Sequence, residues 1–136
     1  MSNKIEHGKH SVVLKKHRLI MCELIGTFNK EGMESWILKM RSTIEPIKKQ
    51  PFCLLVDLRH YAGATEEALE AADIFHQWLK DSFIVCQAHV ISSQTLYSIS
   101  LSRLPSLKYH VVKSFLKIDE ALAWVAERLN KQINNM

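Results

Sequence analysis

Phe52-Cys53-Leu54-Leu55-Val56-Asp57-Leu58 stays apolar for five residues before its first charge. A strand with one covered face alternates apolar and polar residues. An unbroken apolar run of this length reads instead as a central strand covered on both faces. Gln50-Pro51 punctuates it on one side, and Arg59-His60-Tyr61-Ala62-Gly63-Ala64 reads as a loop on the other. Covering two faces takes helices, and helical stripes flank the run. Upstream, Met33, Trp36, Ile37, Met40, Ile44 and Ile47 recur at i, i+3, i+4, i+7 spacing behind Asn29, a good capping residue. Pro46 should end or kink that helix, because proline lacks the N–H and clashes with the preceding turn. Downstream, Thr65 is suited to cap a second helix. Glu66 and Glu67 fall in its first turn, where carboxylates complement the helix dipole. Ala68, Leu69, Ala72, Phe75 and Leu79 give it a core stripe running to about Lys80.

The same reading extends to both ends. Ser11–Lys15 and Leu19–Gly26 are short apolar runs across the polar turn Lys16-His17-Arg18, the pattern of a β-hairpin. Phe83–Ile91 is a further strand. Ser92 and Ser93 can cap a short third helix that stops before Pro105. Leu107–Phe115 reads as the last strand, and Ile118, Ala121, Leu122, Val125 and Leu129 mark the final helix. The order β-β-α-β-α-β-α-β-α predicts an α/β fold: a mixed, mostly parallel five-stranded sheet with four helices and one antiparallel pair at an edge. Residues 11–130 should form one domain, with 1–10 a flexible N-terminal tail and 131–136 a C-terminal tail.

A chain of 136 residues, 47% apolar and 24% charged, fits a single globular domain with a core that needs no staples. Cys22, Cys53 and Cys86 each sit inside an apolar run. An odd count without close spacing speaks against a disulfide framework and for buried thiols in a reducing compartment. Met1–His10 is polar, with no apolar segment of a secretory signal, and no run approaches the length of a membrane span. The expected location is the cytoplasm. The net charge of +4 comes from scattered lysines interrupted by acids, which is not the clustered basic stripe of a nucleic-acid binder.

Three segments in this order resemble a known family. They are Leu55-Val56-Asp57-Leu58 ahead of a loop and an acid-rich helix start, Ala88-His89-Val90-Ile91-Ser92-Ser93 running into a short helix, and the closing Asp119-Glu120-Ala121-Leu122-Ala123-Trp124-Val125. From about Val12 to Leu129 the chain resembles the SpoIIAA-like branch of the STAS superfamily, which is related in shape to the lipid-binding CRAL-TRIO fold. The resemblance implies a non-catalytic binding or regulatory module. The best-known members are anti-sigma-factor antagonists, switched by phosphorylation of a serine at the start of the second helix. Glu66 and Glu67 fall where that Asp-Ser-Ser-Gly motif belongs. The acceptor serine and the glycine are absent, and Thr65 is the nearest hydroxyl.

Chemistry-bearing patterns are sparse. Ser92, His60 and Asp57 are the residue types of a catalytic triad near carboxyl ends of strands, but no Gly-x-Ser-x-Gly elbow accompanies them. His7 and His10 stand three apart without further ligands, so no metal site is expected. His76, His89 and His110 read as hydrogen-bonded core or strand histidines. The four glycines are not clustered, which excludes a phosphate-cradling loop, and no cofactor is expected.

One surface remains. Open α/β sheets bind ligands outside the carboxyl ends of their parallel strands. That edge should carry Asp57, Arg59, His60, Tyr61, Gly63, Thr65, Glu66, Glu67, Ser92 and Ser93, and arginine and tyrosine are favoured in binding hot spots. The expected function is recognition of a protein partner there. The alternative is carriage of a small apolar or lipid-like ligand between the sheet and a helix, lined by Met33, Trp36 and Met40. Ile74 and Trp78 widen the apolar arc of the second helix beyond one packed face, so they should contact a second subunit in a homodimer or pack under the neighbouring helix.

Overall fold

The computed structural model describes residues 5–136. Its centre is β3 (Phe52–Asp57), with every residue buried. Phe52, Leu54 and Val56 face one core, while Cys53 and Leu55 face another. That division is the physical reason for the unbroken apolar run. β2 (Leu19–Phe28) lies parallel to β3 on one side, and β5 (Ile84–Val90) lies parallel on the other. β1 (Lys9–Lys15) closes one edge by pairing antiparallel with β2, and β6 (Val112–Phe115) closes the other by pairing parallel with β5. The order across the sheet is β1-β2-β3-β5-β6. The expected α/β class, mostly parallel sheet and four helices are all present.

The helices divide unequally over the two faces. α1 (Lys30–Ile44) and α2 (Glu66–Leu79) cover the first core with Met33, Trp36, Met40, Ile44, Ala68, Ala72, Phe75 and Leu79. The short α3 (Gln94–Leu101) completes this layer through Tyr97. α4 (Ile118–Asn134) alone covers the second face, where Ala121, Val125 and Leu129 meet Cys53, Leu55, Cys86, Ala88 and Val90. All three cysteines are buried free thiols, with the Cys53 and Cys86 sulfurs 3.4 Å apart on paired strands.

Two local outcomes differ from the expected pattern. The stretch read as a loop contains a sixth strand, β4 (Tyr61–Ala64), which pairs parallel with Gly26–Phe28 at the far end of β2. The stretch read as a strand from Leu107 begins instead with a 3-10 helix, Pro105–Tyr109. The Asp73 carboxylate takes the Ser106 backbone N–H at 2.7 Å and its hydroxyl at 2.9 Å, which holds that turn closed. At the N-terminus, Met1–Lys4 lie outside the described residues. From Ile5 the chain lies against the start of α1: the Asn29 amide donates to the Ile5 carbonyl at 2.8 Å and accepts from His7 N–H at 2.9 Å. Gly32 makes that approach feasible, because a Cβ there would stand 1.9 Å from the His7 carbonyl oxygen.

The α1–α2 layer also accounts for Trp78. It stacks on Phe75 with ring centroids 5.9 Å apart, under the Arg41 guanidinium and the Lys48 ammonium. It is therefore partnered within the chain, while Ile74 beside it is 59% exposed.

Candidate functional site

The sheet divides at its carboxyl edge. β3 and β4 run successively along β2, separated by the turn Leu58–His60. At that break the Leu58 N–H donates to Val90 of β5, and the Gly26 N–H of β2 donates to the His60 carbonyl. β3 therefore stays with β5, β4 stays with β2, and the turn between them projects from the fork. Gly63 lies within β4 at φ +118, a conformation that side-chain-bearing residues rarely adopt.

Asp57 organises the turn. Its carboxylate accepts from the Arg59 backbone N–H at 3.1 Å and from the guanidinium at 3.0 and 2.8 Å, a two-pronged pair. Burial works against its charge, but the hydrogen bonds and the positive charge of Arg59 win and hold the carboxyl below the usual range. The Ser92 hydroxyl donates to the Arg59 carbonyl at 2.8 Å, tying the same turn to the end of β5. His60 is exposed. Asp57 and Ser92 are thus both committed to Arg59, and among the described residues neither hydrogen-bonds to His60. The three residue types that suggested a triad do not form one.

Two capped helices start beside the turn. Thr65 accepts from the Ala68 N–H at 3.2 Å, and Ser93 accepts from the Leu96 N–H at 3.2 Å. Glu66 pairs with Arg103 at 3.0 Å across the surface, and Glu67 is exposed. Removing the cap in Thr65→Ala should lower stability by about 1 kcal/mol, a fall of about 3–4 °C in melting temperature, with Thr65→Ser near wild type. Differential scanning calorimetry of the two variants checks this.

Behind the edge lies a buried polar chain that the sequence reading did not assemble. Tyr97 O–H donates to His89 Nδ1 at 2.7 Å, and His89 Nε2–H donates to Gln87 Oε1 at 2.6 Å. His76 Nδ1–H donates to the Ala72 carbonyl at 2.8 Å, and His110 donates to the His76 carbonyl at 2.9 Å. With Nδ1 carrying its proton, His76 Nε2 is bare, so its 3.5 Å approach to Gln87 Oε1 joins two acceptors and is no hydrogen bond. Burial, reinforced by the neighbouring His76, depresses the His89 pKa to about 3. Burial also lowers His76 and pushes the Tyr97 phenol up to about 12. One signal was present in the sequence: Gln87 and His89 stand at i, i+2, on one face of an otherwise apolar strand.

These side chains line a cavity of about 70 Å3 together with Met33 and Trp36, whereas Met40 packs deeper in the core. The rim residues Leu58, Tyr61 and Tyr97 border it, and the Tyr61 hydroxyl meets the Ser100 hydroxyl at 3.0 Å.

An uncharacterized protein of the DUF3478 family from Shewanella loihica, described as having a SpoIIAA-like fold, superposes with a TM-score of 0.64 over 92% of this chain and 98% of its own. The fold is SpoIIAA-like. At 16% identity the likeness is one of architecture. No family model matches the sequence, and no curated protein matches it. Within this SpoIIAA-like fold no group of three or more potential metal ligands occurs among the described residues. No helix among them is long and apolar enough to cross a membrane.

Proposed function

We propose that this chain is a non-catalytic binding module that engages a protein partner at the carboxyl edge of its sheet, through the turn after β3 and the start of α2. The supporting observation is the fixation of Arg59: Asp57 holds its backbone N–H and both prongs of its guanidinium, and Ser92 holds its carbonyl. A recognition loop ordered in advance loses little further conformational freedom on association. The loop presents an arginine and a histidine beside a half-buried tyrosine, a composition suited to protein contacts. In SpoIIAA-type switches a phosphoryl group brings negative charge to the start of the second helix. Here Glu66 and Glu67 supply that charge permanently, so this module has one constitutive binding state. A lipid-like cargo fits the geometry less well, since sites for such ligands run to roughly 300–1,000 Å3 and the internal space is about 70 Å3.

A photo-crosslinking amino acid at His60, compared with one at the exposed Leu38 on α1, tests the surface in lysate of the source cells. The expected result is a discrete adduct from position 60 alone, at least tenfold weaker when Glu66→Gln and Glu67→Gln are introduced, with melting lowered by no more than about 2–6 °C through the lost charge at the helix start. Equal adducts from both positions, or an adduct insensitive to the charge changes, would overturn the assignment.

A further inference from the structure

Between the sheet and the layer of α1, α2 and α3 lies the cavity of about 70 Å3 that the rim residues border. We infer that it is a binding site for a small neutral molecule with a compact apolar body and a single alcohol or ketone oxygen. The inference rests on the cavity and stands apart from the partner surface above it.

Size sets the first limit. At roughly 10–15 Å3 for each water-sized occupant, the space takes a guest of roughly five non-hydrogen atoms. The walls set the polarity: Leu24 and Val56 from the sheet, Leu69 and Ala72 from α2 and Leu101 from α3 present carbon. The ionisable residues in the lining are Tyr61, His76, His89 and Tyr97, and burial favours the uncharged form of all four at neutral pH. A charged guest would lose its hydration without a counter-charge, so the site selects a neutral one.

The oxygen follows from Gln87, beside which the bare His76 Nε2 is a second lining atom that an alcohol hydroxyl can serve. This lining residue is 2% exposed, one end of its amide bonds to His89, and the other end has no partner. A side-chain amide can be turned end for end, but either orientation leaves one polar atom unsatisfied. A buried polar group without a partner is destabilising, and such groups in native structures mark places where a further molecule completes the bonding. An alcohol serves either orientation, and a ketone serves the one in which the free end is the NH2. The way in is short. A smaller space under Ser92, Ser93 and Leu96 shares Leu58, Tyr61 and Tyr97 with the cavity, so these three side chains form the partition between it and the rim.

The test is titration of the methyl NMR signals with sec-butanol and butanone, with butyrate as the charged comparison and xenon as the apolar one. Saturable shifts of Leu24, Val56 and Leu101 are expected from the alcohol and ketone, with butyrate at least tenfold weaker. Ala72→Val and Leu101→Phe each place added carbon in the cavity and should abolish the shifts; should one of them fail to fold, the other decides. Gln87→Leu should keep xenon while weakening the alcohol and ketone at least fivefold. Absence of saturable shifts, their persistence in a filled variant, or butyrate binding as well as butanone would overturn the site. Oxygenated probes that bind Gln87→Leu as tightly as wild type would overturn the ligand class.

Discussion

Melting at pH 4 should fall about 10 °C below melting at pH 7, with His89 as a principal cause. In the unfolded chain this imidazole takes up a proton near pH 6.5, whereas in the fold it stays neutral down to about 3. Below pH 6.5 the unfolded state therefore binds a proton that the native state refuses. The stability conferred by the neutral ring is complete above 6.5 and is lost progressively as pH falls toward 3. The gap is worth about 3 kcal/mol by pH 4. His76 is depressed in the same sense by burial and adds to the loss. Asp57, held low by Arg59, contributes stability above the unfolded carboxylate range and loses it at still lower pH. His89→Gln removes the titrating ring. Its melting temperature should depend less on pH between 6.5 and 4 than that of wild type. Parallel pH profiles for the two proteins would assign the acid sensitivity elsewhere.

Phe75→Ala should cost about 3–5 kcal/mol and lower the melting temperature by about 10–20 °C. The ring is 1% exposed and holds three neighbours in place. Trp36 meets it edge-on at 5.6 Å, Trp78 stacks at 5.9 Å and His76 approaches at 5.3 Å. Truncation leaves a void among rings that are too large and too well bonded to collapse into it. Ile74→Ala, one residue away on the exposed side, should change stability by no more than about 0.5 kcal/mol. Chemical denaturation of the pair reads the contrast directly. Similar midpoints would mean that α2 does not dock through this face.

What could be read from the sequence was whatever repeats with a period. β3 announced itself because its two faces are both covered, and α1, α2 and α4 because their stripes recur at helical spacing. The caps at Asn29, Thr65 and Ser93 were legible because capping is a local bond, three residues long. Two misread segments have non-local causes. Tyr-Ala-Gly-Ala has no strand pattern, and β4 forms because β2 extends past β3 and offers unpaired backbone. Leu107-Lys108-Tyr109 alternates like a strand, but Pro105 and the reach of Asp73 across 33 residues wind it into a 3-10 turn. At the site the rim residues were named individually, yet the bond between Asp57 and Arg59 that arrests the turn could not be foreseen from types alone. Nor could the whole Tyr97–His89–Gln87 chain: the i, i+2 spacing puts Gln87 and His89 on one strand face, but Tyr97 comes from another element and no spacing rule joins it to them.

The order of strands across the sheet bears on how the protein is made. β1, β2, β3, β5 and β6 lie side by side in the order in which a ribosome releases them. Each emerging strand can settle against the one before it, and none has to force its way between two that have already paired. Most of the layer built from α1, α2 and α3 can therefore assemble while the chain is still growing. The second face cannot. Cys53, Leu55, Cys86, Ala88 and Val90 are covered by α4, whose residues Ile118–Asn134 come after every strand in the sequence. Until that helix clears the exit tunnel, the nascent sheet carries a bare apolar side, and this is the interval in which a chaperone would find something to hold.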